Sequence, residues 1–354
     1  MRSYLIKLLP PFIIKRIAGR LYFKKIITNT SWLFVDQIFR MSVGLFVGVW
    51  IARYLGPEQF GILSYAQAFV ALFSALATLG LDSIVIRDIV REPQYKDMLL
   101  GTAFILKLSG GIIAISIAFC SVLLTNPDDV QLQLMVMIIS SSIIFQSFNT
   151  IDFWFRAEML SKYTAYSNIL GLIIISLIKI YLIITSAPLI AFVWAGVGEI
   201  IIVSLVLIFI YLKRYGLIST WTLNWQRGVV LLKESWPLML ASISYILYMR
   251  IDQIMIGIML DQYSLGLYSA SMRVFEAFIF VPVVIAASLF PYLVNTHKKD
   301  WQLFKKQYSK ATDIMTLFSY ILIVFIGLFG GKLVGIAYGK AYTGVYDILL
   351  LQSI

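Results

Sequence analysis

The segment Leu55-Gly56-Pro57-Glu58-Gln59-Phe60-Gly61-Ile62-Leu63-Ser64-Tyr65-Ala66 has an echo far along the chain, at Leu260-Asp261-Gln262-Tyr263-Ser264-Leu265-Gly266-Leu267-Tyr268-Ser269-Ala270. Ser31-Trp32 returns at nearly the same offset as Ser235-Trp236. Solenoid repeats have periods of about 20–50 residues, so a period of this length means a chain built twice. In an apolar chain such a duplication points to two related lobes with a binding site between them.

The chain is apolar throughout. Hydrophobic residues make up 60% of it and charged residues only 13%, against about 25% charged in an ordinary globular domain. A membrane-spanning helix needs about 20 mostly apolar residues. Nine complete segments meet that requirement, near 31–52, 62–86, 99–124, 130–153, 163–184, 189–212, 236–259, 265–290 and 311–337, and a tenth begins near 343. The expected fold is an all-α polytopic membrane protein made of two bundles of transmembrane helices. Its parts are a basic interfacial segment (1–28), a first lobe of six spans (29–212), a cytoplasmic linker (213–233) and a second lobe of about four spans (234–354). Because the last apolar run stops at Ile354, the second lobe is expected to be incomplete.

Basic residues accumulate on the cytoplasmic side of inner-membrane proteins. Twenty-one of them fall in the N-terminal segment and the even-numbered connections, whereas the other side carries only Arg53 and Lys340, along with the acidic Asp128, Asp129 and Asp261. This asymmetry predicts a cytoplasmic N-terminus. It also accounts for the net charge of +11 as topology and attraction to anionic lipid, without nucleic acid as a partner. Ile13, Ile14, Ile17 and Leu21 share a face opposite Lys15, Arg16 and Lys24, the pattern of a helix lying in the interface. The tryptophans Trp221 and Trp225, with Arg227 and Lys233, mark a similar segment in the linker. One cysteine, Cys120, excludes an intramolecular disulfide, and one histidine, His297, leaves little for a histidine metal site; no metal or cofactor is expected.

An ionised side chain at the centre of a span costs about 2.5–3.5 kcal/mol on insertion scales, so each one calls for a partner, a wet cavity or a ligand. Arg40, Lys107, Lys179, Arg250, Arg273 and Lys332 are the basic residues within spans. Asp36, Arg40, Gly44 and Gly48 recur every four residues along one helix face, which must turn inward. In the second lobe Arg273 and Glu276 stand one turn apart beside Ser269. Structural ion pairs, Asp36 with Arg40 and Arg273 with Glu276, are the competing explanation. Arg250 and Asp252 lie about 200° apart around a helix, and Arg250 shares a stripe with Gly257, which makes it the cavity residue of the two. Lys107 is about 12 Å from the basic end of its helix, within reach of a cavity there or, by snorkelling, of the interface. Lys179 and Lys332 stand near the opposite ends and are expected to snorkel. Glu199 has no basic residue within one turn, the setting of a protonatable carboxyl. Arg40, Lys107, Arg250 and Arg273 are therefore the candidate binding residues and Asp36, Glu199 and Glu276 the candidate ion-coupling residues. Inward arginines suit an anionic ligand, since their guanidinium forks grip phosphate bidentately.

Two other classes can be weighed. A membrane polymerase or glycosyltransferase would place its chemistry on sizeable outer loops, and the stretches 53–61, 125–129, 185–188, 260–264 and 338–342 are too short. No G-x-x-x-x-G-K-[ST] pattern is present for ATP hydrolysis by a P-loop. An ion-coupled multidrug antiporter would want a net acidic cavity, against the three central arginines.

Asn29-Thr30-Ser31-Trp32, the run from Ile51 to Gly61 with its Arg53-Tyr54-Leu55-Gly56-Pro57-Glu58-Gln59-Phe60 core, then Tyr65-Ala66, Gly80-Leu81-Asp82 and Arg87-Asp88 resemble the opening of Wzx-type polysaccharide (O-antigen) flippases. These belong to the multidrug/oligosaccharidyl-lipid/polysaccharide exporter superfamily. The resemblance implies alternating-access movement of an undecaprenyl-pyrophosphate-linked oligosaccharide, a lipopolysaccharide precursor, to the outer leaflet of a bacterial inner membrane. It also implies no enzymatic step. The partners it implies are the lipid-linked oligosaccharide, the bilayer, a proton or sodium ion, and polysaccharide polymerase machinery.

Overall fold

The computed structural model describes residues 11–353, without the side chains of 11–27 and of most of 279–299. Helices account for the fold and no strand occurs among the described residues. In chain order they are α1 (Pro11–Thr78), α2 (Leu81–Arg91), α3 (Lys96–Thr125), α4 (Val130–Gln146), α5 (Thr150–Ala157), α6 (Lys162–Ile184), α7 (Leu189–Arg214), α8 (Trp225–Met259), α9 (Gln262–Lys299), α10 (Trp301–Tyr338) and α11 (Val345–Ser353). Seven helical stretches among the described residues are long and apolar enough to cross a membrane. The first of these is two spans joined at a sharp break, and α9, at 38 residues, adds a further long helix. The chain is an all-α polytopic membrane protein, as its hydropathy indicates.

Three boundaries differ from the hydropathy reading. The stretch 53–61 is not a loop: helix runs to Leu55 and resumes at Pro57, and only Gly56 leaves helical geometry (φ 73°, ψ 167°). Glycine tolerates that positive φ, and proline fits the first position of the arm that follows. The segment 130–153 is also interrupted. There α4 stops at Gln146, a 3₁₀ turn spans Ser147–Asn149, and α5 carries on. At the linker, Trp225, Arg227 and Lys233 belong to the continuous helix α8 rather than to a separate interfacial segment. The expected face of Ile13, Ile14, Ile17 and Leu21 lies outside the described side chains, and Met1–Pro10 outside the described residues.

Side-chain caps define four helix starts. Asp129, Asn224, Asp261 and Asp300 accept hydrogen bonds from the backbone N–H of Leu132, Arg227, Ser264 and Leu303 at 2.9, 2.9, 2.6 and 3.0 Å. Each such cap is worth about 1 kcal/mol.

Buried apolar side chains collect at the two ends of the bundle. One cluster joins the two halves of the chain through Phe60, Tyr65 and Ala66 on α1, Leu265 and Ala270 on α9, and Tyr338, Tyr342 and Val345 beyond. The other sits at the basic end, around Leu81, Val85, Leu99, Ile151, Phe155 and Tyr211, with Leu231 of α8 inserted.

Candidate functional site

A cavity of about 550 Å³ borders the first cluster and is walled by both halves of the chain. The first half contributes Arg40, Gly44 and Gly48 from α1, Ser64 and Gln67 from its second arm, Ser176 and Lys179 from α6, and Glu199 from α7. The second half contributes Arg250 and Gln253 from α8 and Ser269, Arg273 and Glu276 from α9. Five of the seven residues picked out in the sequence, Arg40, Arg250, Arg273, Glu199 and Glu276, are thus brought together.

Helical spacing explains their convergence. Arg40, Gly44 and Gly48 form one stripe of α1, and beside Gly44 the space is open. Arg273 lies across Gly48, where a Cβ would overlap its guanidinium, and the same guanidinium stands over the Phe60 ring at 5.0 Å. A cation over an aromatic face is attracted by the ring quadrupole. Arg250 faces the cavity while Asp252 turns away to accept a 2.5 Å hydrogen bond from the Tyr268 hydroxyl, so the pair separates as the 200° offset requires.

Lys179 corrects the sequence reading. It does not snorkel; its Nζ pairs with Glu199 Oε2 at 3.5 Å across α6 and α7, and both line the cavity. Glu199 is therefore not an isolated carboxyl. The signal was present in the sequence as two matching stripes, Leu172, Ser176, Lys179 and Phe192, Gly196, Glu199, each at helical spacing on adjacent spans. The ion pairs weighed for Asp36 with Arg40 and for Arg273 with Glu276 do not form within 4 Å among the described residues. The cavity therefore holds four cationic side chains against two carboxylates, and only Lys179 is neutralised by direct contact.

The remaining two residues lie elsewhere. Lys107 is buried, 3.8 Å from Asp82 Oδ1 and 4.8 Å above the Phe153 ring. It lines a second, smaller cavity in the first half of the chain, which Arg40 also borders. Asp36 is buried beside α6, accepting a 2.8 Å hydrogen bond from Asn168 Nδ2, and its Oδ1 has no partner. It lines neither cavity. No cluster of three or more potential metal ligands occurs among the described residues.

Residues 50–347 match the family model described as polysaccharide biosynthesis protein. The chain belongs to the polysaccharide biosynthesis protein family. No curated protein sequence matches it. Among solved structures it resembles an inward-facing conformation of a multidrug resistance MATE family transporter of the MOP superfamily. The identity is 15%, the match covers 92% of this chain and 79% of the other, and the TM-score is 0.70. At that identity the likeness shows the fold alone. This member of the polysaccharide biosynthesis protein family therefore has a MATE-type transporter fold with a cavity between its two halves. Chemically, the cavity offers three guanidinium groups without carboxylate partners, amide and hydroxyl groups from Gln67, Gln253, Ser64 and Ser176, and one pre-formed ion pair.

Proposed function

We propose that this protein is a flippase. It carries an undecaprenyl-pyrophosphate-linked oligosaccharide unit from the inner to the outer leaflet of a bacterial inner membrane, with its N-terminus in the cytoplasm. In this reading the lobes are 29–212 and 234–354, joined by the linker 213–233, and they rock about the central cavity in alternating access. The observation that carries the proposal is the charge imbalance of the cavity, where Arg40, Arg250 and Arg273 have no direct counter-ion. Uncompensated guanidinium groups in a low-dielectric setting favour an anion strongly, and a pyrophosphate presents oxygens to more than one fork. The family assignment supports a role in polysaccharide assembly, and the fold supports transport rather than an enzymatic step. A bulky cation, the cargo of a multidrug antiporter, would enter against that field.

Movement of protons or sodium ions through Asp36, Glu199 and Glu276 would bias the cycle. Glu199 is the strongest of the three because protonating it, or giving it a sodium ion, releases Lys179 as a fourth free cation. The test is the leaflet distribution of lipid-linked oligosaccharide in cells lacking the gene, with the wild-type chain or Arg273→Ala restored. Return of the unit to the outer leaflet by the wild type and at least tenfold less by the variant is expected. An unchanged distribution, together with efflux of a labelled organic cation, would replace this reading with the antiporter.

A further inference from the structure

The second cavity lies at the basic end of the first half of the chain and holds about 230 Å³, far more than the roughly 30 Å³ that one water occupies in the liquid. Its floor is the interruption between α4 and α5. The 3₁₀ turn there brings Gln146, Ser147 and Asn149 onto the cavity wall in the middle of a stretch whose hydropathy predicts a continuous span. Among the described residues none of these three side chains has a hydrogen-bond partner. Ser147 is only 1% exposed and its hydroxyl is buried and unpaired. Buried polar groups are normally paired, so the free Ser147 hydroxyl, with the two half-buried carboxamides beside it, indicates that a polar occupant completes them.

The charged groups narrow the choice. Lys107 faces Asp82 at 3.8 Å, Arg156 pairs with Asp152 at 2.6 Å, and Thr164 donates a hydrogen bond to the same aspartate. With Arg40 the wall carries three basic groups and two acidic ones. A metal cation would add to a positive excess, and an anion would find two of the three bases already engaged. What remains free is two carboxamides and a hydroxyl, groups that donate and accept at once, as sugar hydroxyls require. Arg40 borders both cavities, so a group joined to an anion held at Arg40 adjoins the second.

We propose that the second cavity is a sugar subsite that receives the ring attached directly to the pyrophosphate and hydrogen-bonds it through Gln146, Ser147 and Asn149. This rests on the flippase reading above.

The test uses the purified full chain in liposomes with two carriers, undecaprenyl pyrophosphate alone and undecaprenyl pyrophosphate bearing one N-acetylhexosamine. The readout is the ratio of the glycosylated to the sugar-free rate. Losing one or two hydrogen bonds to the ring predicts a fall in that ratio of about tenfold in Asn149→Ala and in Gln146→Ala. A fall of about threefold is expected in the near-isosteric Ser147→Ala, which serves if an amide variant does not fold. An unchanged ratio, whether both rates drop together or neither does, overturns the subsite. So does a variant whose only defect is a higher sodium requirement with both carriers, which would make the cavity a cation site. If the wild type moves neither carrier, the flippase reading itself falls, a result distinct from an unchanged ratio.

Discussion

The two ends of the bundle are held together by different physics. At the end marked by Gly56 and the α8–α9 turn, the halves of the chain meet backbone to backbone. Gly61 sits where a Cβ would overlap the Gln262 carbonyl, and Gly266 where one would overlap the Pro57 carbonyl. The Tyr342 hydroxyl donates to the Ala52 carbonyl at 2.6 Å, and Arg53 reaches the Ile336 carbonyl at 3.5 Å. At the basic end the first half grips the start of α8 through partly exposed charges added to the apolar contact of Leu231 and the close approach of Gly80. Arg87 bridges Asp88 and Glu234, and Arg227 pairs with Asp88 at 2.9 Å and Glu92 at 3.5 Å. One closure is steric and short-ranged, indifferent to salt. The other is in part electrostatic and partly exposed, so salt weakens it. On the alternating-access cycle proposed above, parting the second end takes less energy than parting the first.

The largest effect is expected at the glycines. Gly266→Leu and Gly61→Leu each force a side chain into a backbone carbonyl, which no rotamer relieves, and should lower stability by about 3 kcal/mol. Thermal unfolding in detergent should show this equally at low and high salt, and wild-type melting in both variants would mean that the halves do not touch there. Next comes Gly80→Val at the basic end. Gly80 has φ 63°, and its missing Cβ would stand 2.5 Å from the Met239 nitrogen and 2.7 Å from the Ser235 oxygen. A left-handed β-branched residue costs about 1–2 kcal/mol before any clash. If Gly80→Val melts like the wild type, the steric element of the basic end is negligible and the two ends differ more sharply.

The ion pairs come third. Arg227→Ala takes one partner from Asp88, which is only 5% exposed, and should cost about 1–3 kcal/mol. Arg87→Ala should matter less, because Arg87 and Glu234 are both partly exposed and such pairs contribute at most about 1 kcal/mol. Melting in 1 M salt should shrink the Arg87 effect first, and salt-independent losses at both positions would contradict an electrostatic basic end.

The smallest effect lies at the cap of α9. The Ser264 N–H donated to it holds the Asp261 carboxyl below its ordinary value of 3.8. A depressed carboxyl stabilises the fold above its unfolded pKa and loses that contribution as pH falls through the lower folded value. Asp261→Ala should therefore weaken the protein slightly at neutral pH and remove a small acid-induced loss below about pH 4. A difference that grows on the alkaline side would refute the assignment.

Much of this architecture was legible in the residues. The spans followed from hydropathy because the bilayer imposes one length on every crossing. The central cavity followed from the cost of burying charge, which made Arg40, Arg250, Arg273, Glu199 and Glu276 conspicuous. The Lys179–Glu199 pair was missed because its members lie on different helices, and a residue near a helix end is equally consistent with snorkelling. Lys107 does line a cavity near the basic end of its helix, but depth along a helix says nothing about rotation around the bundle, so its separation from the central cavity was not legible. The turn at Gln146–Asn149 escaped hydropathy altogether. A single 3₁₀ turn of polar residues barely lowers the average over a span, although it redirects three side chains.

The reciprocal contact of Gly61 and Gly266 also bears on the repeat that first marks this chain. Each copy of the motif is packed against the backbone of the other, so a larger residue in either is opposed by both. Elsewhere the halves also meet, but through side chains and segments that are not copies of one another. Where the duplicated halves serve as each other's packing surface, the duplication can still be read.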